Sequence, residues 1–420
     1  MPGKHLTRFS RHSPKEKRRR AAAVQNLADT PTLLDSRKRL GLRQPSGAFV
    51  LAALSVMFLL PTVLAEVTNS IAAPKFLGSQ SCSSSSCHGG AGEKSNQYTI
   101  WSTHDFHHAR PYATLETARS ERLAEVLKIG NPTQSARCTV CHAPFATVPA
   151  ERLGHDVAIT EGISCESCHG PAENWIRSHT RPDYKHADRV AAGMRDLKNL
   201  YVRANTCVAC HQNIDPEIRA AGHPELIFEL DGQSVTMPRH WRETNSSAQI
   251  WFVGQAVAAR EMSWELSNQA SPDRELSERR SALVWILSYQ QNSPMNLSSP
   301  SREDFKQTQA SYDRFAQQFA DADKFPVDPA KTVGWLANAG DTFTDKNIST
   351  SHLARRAERL VLALDRLVPE LPGAATNPAV NQSLSKLFAD AQSLPDFDPK
   401  LFAEDLKTFH SSVAGFLEPK

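Results

Sequence analysis

Cysteine is absent from more than two thirds of this chain. Of 420 residues only eight are cysteine, and all eight fall between Cys82 and Cys210. Residues 246–420 contain none, and only two histidines, His352 and His410. That half therefore offers no thiol or metal-ligand constellation. A basic excess is missing as well, once the first residues are set aside. Residues 1–45 hold 12 Lys/Arg and 3 Asp/Glu, and taking these from totals of 48 and 45 leaves 36 basic and 42 acidic side chains, a net of −6. A folded nucleic-acid-binding domain would carry a basic footprint, so a nucleic-acid partner is excluded, while an acidic body favours basic protein partners by electrostatic steering. Alternation of strands and helices around a single C-x-x-C is also lacking, which argues against a thioredoxin-like redox site.

The cysteines that are present stand in four pairs, each followed at once by a histidine. Three read "CTVCH", "CESCH" and "CVACH", ending at His142, His169 and His211. The first pair is spaced differently: "SCSSSSCHGG", Ser81–Gly90, places four serines between Cys82 and Cys87 before His88. C-x-x-C-H is the signature of covalent c-type haem attachment, with both thiols bonded to the macrocycle and the histidine ligating iron. A zinc site needs four converging ligands but no histidine after every second cysteine, and a disulfide framework would pair loops across the chain. Repetition without a leftover thiol therefore points to four covalent haem c groups. They would be held by Cys82 and Cys87, Cys138 and Cys141, Cys165 and Cys168, Cys207 and Cys210, with His88, His142, His169 and His211 as proximal iron ligands. The serine-rich pair reads as a haem site with a longer loop.

A six-coordinate haem needs one more ligand, and eight histidines remain between residues 67 and 245. His179 in "WIRSHT" follows the third motif closely. His223 in "AAGHPEL" precedes a proline, where the backbone is extended or turning. His240 in "MPRHW" adjoins an aromatic able to pack on a porphyrin. "HDFHHARPY" offers His104, His107 and His108 together. His155 and His186 read as ordinary surface or hydrogen-bonded histidines.

Such haem attachment takes place outside the cytoplasm, and the N-terminus suits export. A basic leader, residues 1–45, precedes the apolar run "SGAFVLAALSVMFLLPTVLA" with small residues at its end, the pattern of a secretory signal. The run also approaches membrane-spanning length, so residues 46–66 read as a signal peptide or a retained anchor. The protein would be periplasmic or held at the outer face of the cytoplasmic membrane. Beyond it the expected class is mainly α. A tetrahaem domain over residues 67–245 would wrap short helices and loops, such as 117–128 and 188–200, around four haems. An all-helical domain over residues 246–420 would follow, with helices at 250–266, 277–289 and 351–368. Trp251, Trp264 and Trp285 read as core residues there.

From Phe76 to Trp241 the chain resembles the multihaem c-type cytochromes, in particular the tetrahaem family that accepts electrons from hydroxylamine oxidoreductase. The segments that carry the likeness are "FLGSQSCSSSSCHGG", "WSTHDFHHARPYATL", "GISCESCHGPAENWIRSHT", "NTCVACH" and "AAGHPELIFELDG…MPRHW". The resemblance implies distal iron ligation by His107, His179, His223 and His240, with His108 as the alternative beside His107. It also implies electron transfer between redox partner proteins in respiratory or nitrogen-compound metabolism. Two features depart from the family: the four-residue spacing of the first motif, and the absence of further motifs in residues 246–420. An alternative function is reduction or oxidation of a small nitrogen or sulfur oxyanion at one haem with an open position, with His104, His155, His186, Arg110 or Tyr112 as candidate neighbours.

Overall fold

Gly, Pro and Ser recur so often before residue 245 that, among the described residues there, no helix exceeds 12 residues. The computed structural model describes residues 73–269, 271–288, 302–391 and 396–418; the basic leader and the apolar segment 46–66 lie outside the described residues. Among these residues the fold is predominantly helical without a strand; a lone parallel bridge joins Phe76 to Leu153. The first half contributes α1 (Gln97–His104), α2 (Phe106–Ala109), α3 (Pro111–Thr114), α4 (Ala118–Leu127), α5 (Ala136–His142), α6 (Cys165–His169), α7 (His186–Ala191), α8 (Leu200–His211), α9 (Pro216–Ala220) and α10 (Leu230–Thr236). Helix α4 matches the expected 117–128 once its ends are counted: Thr117 caps it through the Ser120 N–H. The helix expected over 188–200 is instead two. Asp196 takes the N–H groups of Lys198 and Asn199, and Asn199 takes those of Tyr201 and Val202. Such side-chain acceptors compete with helical pairing, so α7 stops and α8 starts afresh.

The second half forms longer helices: α11 (Ser247–Asn268), α12 (Arg274–Ser288), α13 (Arg302–Phe319), α14 (Pro329–Ala337), α15 (Thr350–Leu367), α16 (Pro378–Ala391) and α17 (Pro399–Val413). Helix α11 is buried on nearly every side, with Trp251, Phe252, Val253, Ala256 and Val257 fully buried, as suits a central helix. It is flanked by α8, α10, α12 and α13. Helix α15 turns Leu353, Ala357, Leu360, Val361, Leu364 and Leu367 inward at helical spacing. Trp285 is buried as expected, whereas Trp264 is half-buried and faces a cavity.

Residue 245 is not a boundary of the core. Leu200, Ala204 and Val208 of α8 and Phe228 and Leu230 before and in α10 lie in the same apolar cluster as α11–α17. Gly254 makes this contact possible, since a Cβ there would stand 2.7 Å from Leu230 Cβ. A buried charged seam reinforces it. Glu225 pairs with Arg279, Glu229 lies 3.6 Å from Arg359, and Asp231 lies 3.9 Å from Arg366.

Candidate haem sites

Three of the four motifs end helices: α5, α6 and α8 each finish on the motif histidine. Positions i, i+3 and i+4 of a helix share one face, so two thiols and the imidazole point the same way. The first motif cannot do this, because its cysteines are five apart. Its serine loop folds back instead. His88 N–H donates to the Cys82 carbonyl at 3.2 Å, and Gly89 N–H donates to the Ser84 carbonyl at 2.9 Å. Gly89 is required here, since a Cβ would lie 1.8 Å from the Ser83 carbonyl oxygen. The turn thus restores the neighbourhood of thiol and imidazole that a helix gives the other motifs.

The motifs meet in alternating order. The Cys82 thiol faces Cys165, and the Cys141 thiol faces Cys210. Glu161 and Glu166 hold the first of these junctions. Glu166, buried, accepts the N–H groups of Leu77, Gly78 and Ala172 at 2.7–3.0 Å, and Glu161 accepts the Ser79 and Ser164 hydroxyls at 2.7 Å. Burial raises the Glu166 carboxyl despite these donors.

The imidazoles meet as well. His88 faces His179 with ring centres 6.1 Å apart and planes 14° from parallel. His211 faces His108 at 6.1 Å, and His142 faces His223 at 6.4 Å. His169 stands near His240: burial foremost, then the His240 charge, pulls its imidazole down to about 4. His211 is likewise pulled down to about 4, by burial and then by His108. A metal–imidazole bond is about 2.0 Å and a ring nitrogen sits about 1.15 Å from its ring centre, so imidazoles on opposite sides of one metal have centres about 6.3 Å apart. The three pairs above have this spacing.

The outer ring nitrogens agree. His88 Nδ1 meets Gln97 Oε1 at 2.9 Å, His108 Nδ1 meets Asp105 Oδ2 at 2.8 Å, and His142 Nδ1 meets the Pro111 carbonyl at 3.0 Å. His179 Nδ1 meets the Ile176 carbonyl at 2.6 Å and His223 Nδ1 the Pro224 carbonyl at 2.8 Å. These oxygens only accept, so Nδ1 carries the proton and Nε2 is left as a neutral donor to metal.

All eight cysteines and the eight paired histidines line one cavity of about 5150 Å³. A site for one drug-sized ligand is about 300–1,000 Å³, so this space suits several large groups. Its wall also presents the indole N–H of Trp175 and the Nε–H groups of Arg152 and Arg189, buried without an acceptor. Donors of this kind suit a carboxylate-bearing guest such as a haem. Residues of the second half, among them Trp264, Leu362, Arg366, Leu384 and Phe388, extend the wall.

Residues 81–170 match the family model described as cytochrome c554 and c-prime. Over that stretch the chain is similar to a family of c-type cytochromes. No curated protein and no solved structure matches it. The matched stretch contains the first three motifs of the chain; Cys207–His211 lies beyond it. The likeness supports covalent haem c as cofactor and electron transfer as chemistry.

Among the described residues no three His, Cys, Asp or Glu converge as a site for a bare metal ion, and all eight cysteines are free of disulfides. The histidines not brought into pairs separate clearly. His155 is 99% exposed. His186 commits Nε2 to Asp196 at 2.9 Å, and His104 is exposed with Nδ1 beside the Thr103 hydroxyl. His107 is exposed on α2, and it is its neighbour His108 that meets His211, a difference from the expectation drawn from resemblance. The sequence did carry a signal for this. Asp105 caps α2 and accepts from the His108 backbone N–H, so its carboxylate also reaches His108 Nδ1. A capping aspartate three residues before one of two candidate histidines distinguishes them.

Proposed function

We propose that this protein is an exported tetrahaem electron carrier. Its four irons would lie between His88 and His179, His142 and His223, His169 and His240, and His211 and His108. The observation that carries the reading is the facing of imidazoles at 6.1–6.4 Å across a cavity lined by all four cysteine pairs. When bound, haem c supplies one-electron exchange at iron. The cysteines would fix each group covalently and the paired imidazoles would both ligate its iron, an arrangement that would leave no site for a substrate and favour transfer over catalysis. The Nδ1 acceptors hold each ring in orientation.

Export, as a periplasmic or membrane-anchored protein, rests on the basic leader and apolar run of residues 1–66. No helix among the described residues is long and apolar enough to cross a membrane. The partners would be redox proteins, basic ones being favoured by the acidic body, in respiratory or nitrogen-compound electron flow.

Electron paramagnetic resonance of the oxidised full-length protein, with haem counted by mass, tests this reading. Four haems and only low-spin ferric signals are expected. A high-spin signal would bring forward the alternative, a reductase or oxidase of a small oxyanion at an open iron.

A further inference from the structure

Helix α6 is only five residues long, and its last carbonyls need donors from outside. One residue supplies them. Arg195 donates its backbone N–H to the His169 carbonyl at 2.8 Å, and Nη1 to the carbonyls of Ser167 and Cys168 at 2.7 and 2.9 Å. Three successive carbonyls of the third motif are thus bound by a residue 26 positions beyond the last of them. A cation at a helix C-terminus is favourable, but the position of this one matters more. Its charge bears on the Cys168 and Cys207 thiols and on His169, so it stands where the third and fourth motifs adjoin.

Two other arginines beside the motifs are neutralised. Arg203 pairs with Glu243 at 2.6 Å, and Arg137 with Asp215 and Glu217 at 2.6 and 2.9 Å. Among the described residues Arg195 has no carboxylate within ion-pair distance and donates to carbonyls alone. Asp105, whose charge also reaches Cys168, is engaged by His108. On the far side of the same motif, at the junction of Cys82 and Cys165, the charges are the carboxylates of Glu161 and Glu166.

We propose that Arg195 is a positioning residue for the iron site between His169 and His240, and that its uncompensated charge makes that site the first of the four to accept an electron. The inference rests on the tetrahaem reading. Taking one electron from a reductant such as dithionite lowers the positive charge at iron by one, and a fixed cation nearby stabilises the reduced form in a low-dielectric interior.

The test is a dithionite titration of the haem-loaded protein, followed spectroscopically, for wild type, Arg195→Leu, Arg195→Lys and His240→Met. Haem content by mass is measured first, and fewer than four in wild type would remove the tetrahaem reading itself. With four present, Arg195→Leu is expected to weaken reduction of the highest-potential component at least tenfold, about 59 mV for one electron. That component should be the one that His240→Met moves. Arg195→Lys keeps the charge but not the fork, so it should hold the potential near wild type while lowering the melting temperature. Unmoved potentials in Arg195→Leu would overturn the proposal, as would a shift in a component that His240→Met leaves alone. A tenfold or greater weakening in Arg195→Lys relative to wild type would do the same, and this arm stands if the leucine variant does not fold.

Discussion

His107 and His108 are adjacent in sequence and opposite in circumstance. His108 has its Nδ1 tied to a buried aspartate and its ring 6.1 Å from His211; His107 is exposed. Replacing His108 by alanine is therefore expected to convert one low-spin ferric signal to high-spin, or to shift one potential, while His107→Ala leaves the spectrum as it was. The reverse pattern in paired spectra would restore the assignment drawn from family likeness. At this scale the sequence was most legible where chemistry and spacing coincide, as in the C-x-x-C-H triplets. It was least legible where a hydrogen bond to a residue off the motif decides. Asp196 occupying Nε2 of His186, and Arg195 reaching back to Ser167, depend on how loops close rather than on any local pattern.

At the scale of elements, α8 carries the widest responsibility. One face, Leu200, Ala204 and Val208, is buried against the helices that follow, while Cys207, Cys210 and His211 line the cavity. Arg203 on the same helix fixes the turn before α11. It pairs with Glu243 at 2.6 Å, and Glu243 also accepts from the Trp241 indole and the Thr244 and Asn245 N–H groups. Burial pushes this carboxyl up, but Arg203 and the neighbouring donors outweigh it and hold it at about 2, against an ordinary 4.5. A depressed carboxylate stabilises the fold fully above its ordinary range, and that contribution is lost as pH falls from about 4.5 towards 2. Glu243→Gln should be less stable than wild type by about 3 kcal/mol at pH 7, with the difference closing at low pH. Denaturant unfolding at several pH values measures it, and a gap that stayed constant with pH would refute the assignment. The periodicity of α11, α12 and α15 made these helices legible in advance, since burial repeats at helical spacing. The break between α7 and α8 was not, because two side chains there draw off the backbone donors.

Over the whole molecule, the composition divides at residue 245 while the packing does not. Loss of cysteine and the onset of long helices mark a change of chemistry, yet Phe228, Leu230 and the inner face of α8 are buried with the second half, and Arg366 and Phe388 line the cavity of the first. Each fully buried Leu or Phe contributes about 1.5–3 kcal/mol, so several such side chains exceed what a domain of this size can spare. A chain ending at residue 245 should therefore aggregate or retain fewer haems than the full protein, with the fourth motif affected first. Soluble protein of full haem content from that truncation, counted by mass, would show the second half to be dispensable.

The imidazole partnerships also have an order along the chain. His88 meets His179, His108 meets His211, His142 meets His223, and His169 lies by His240. Drawn as arcs over the sequence, each of the four crosses the other three, and every one spans the short stretch between residues 169 and 179. No segment closes on itself, so the protein cannot have grown by duplicating a self-sufficient one-haem module as it now stands, nor can it be trimmed to one. In a chain emerging N-terminus first, no partnership is complete until His179 has appeared. Three cysteine pairs are exposed to attachment by then, and the late histidines would find their partners already in place.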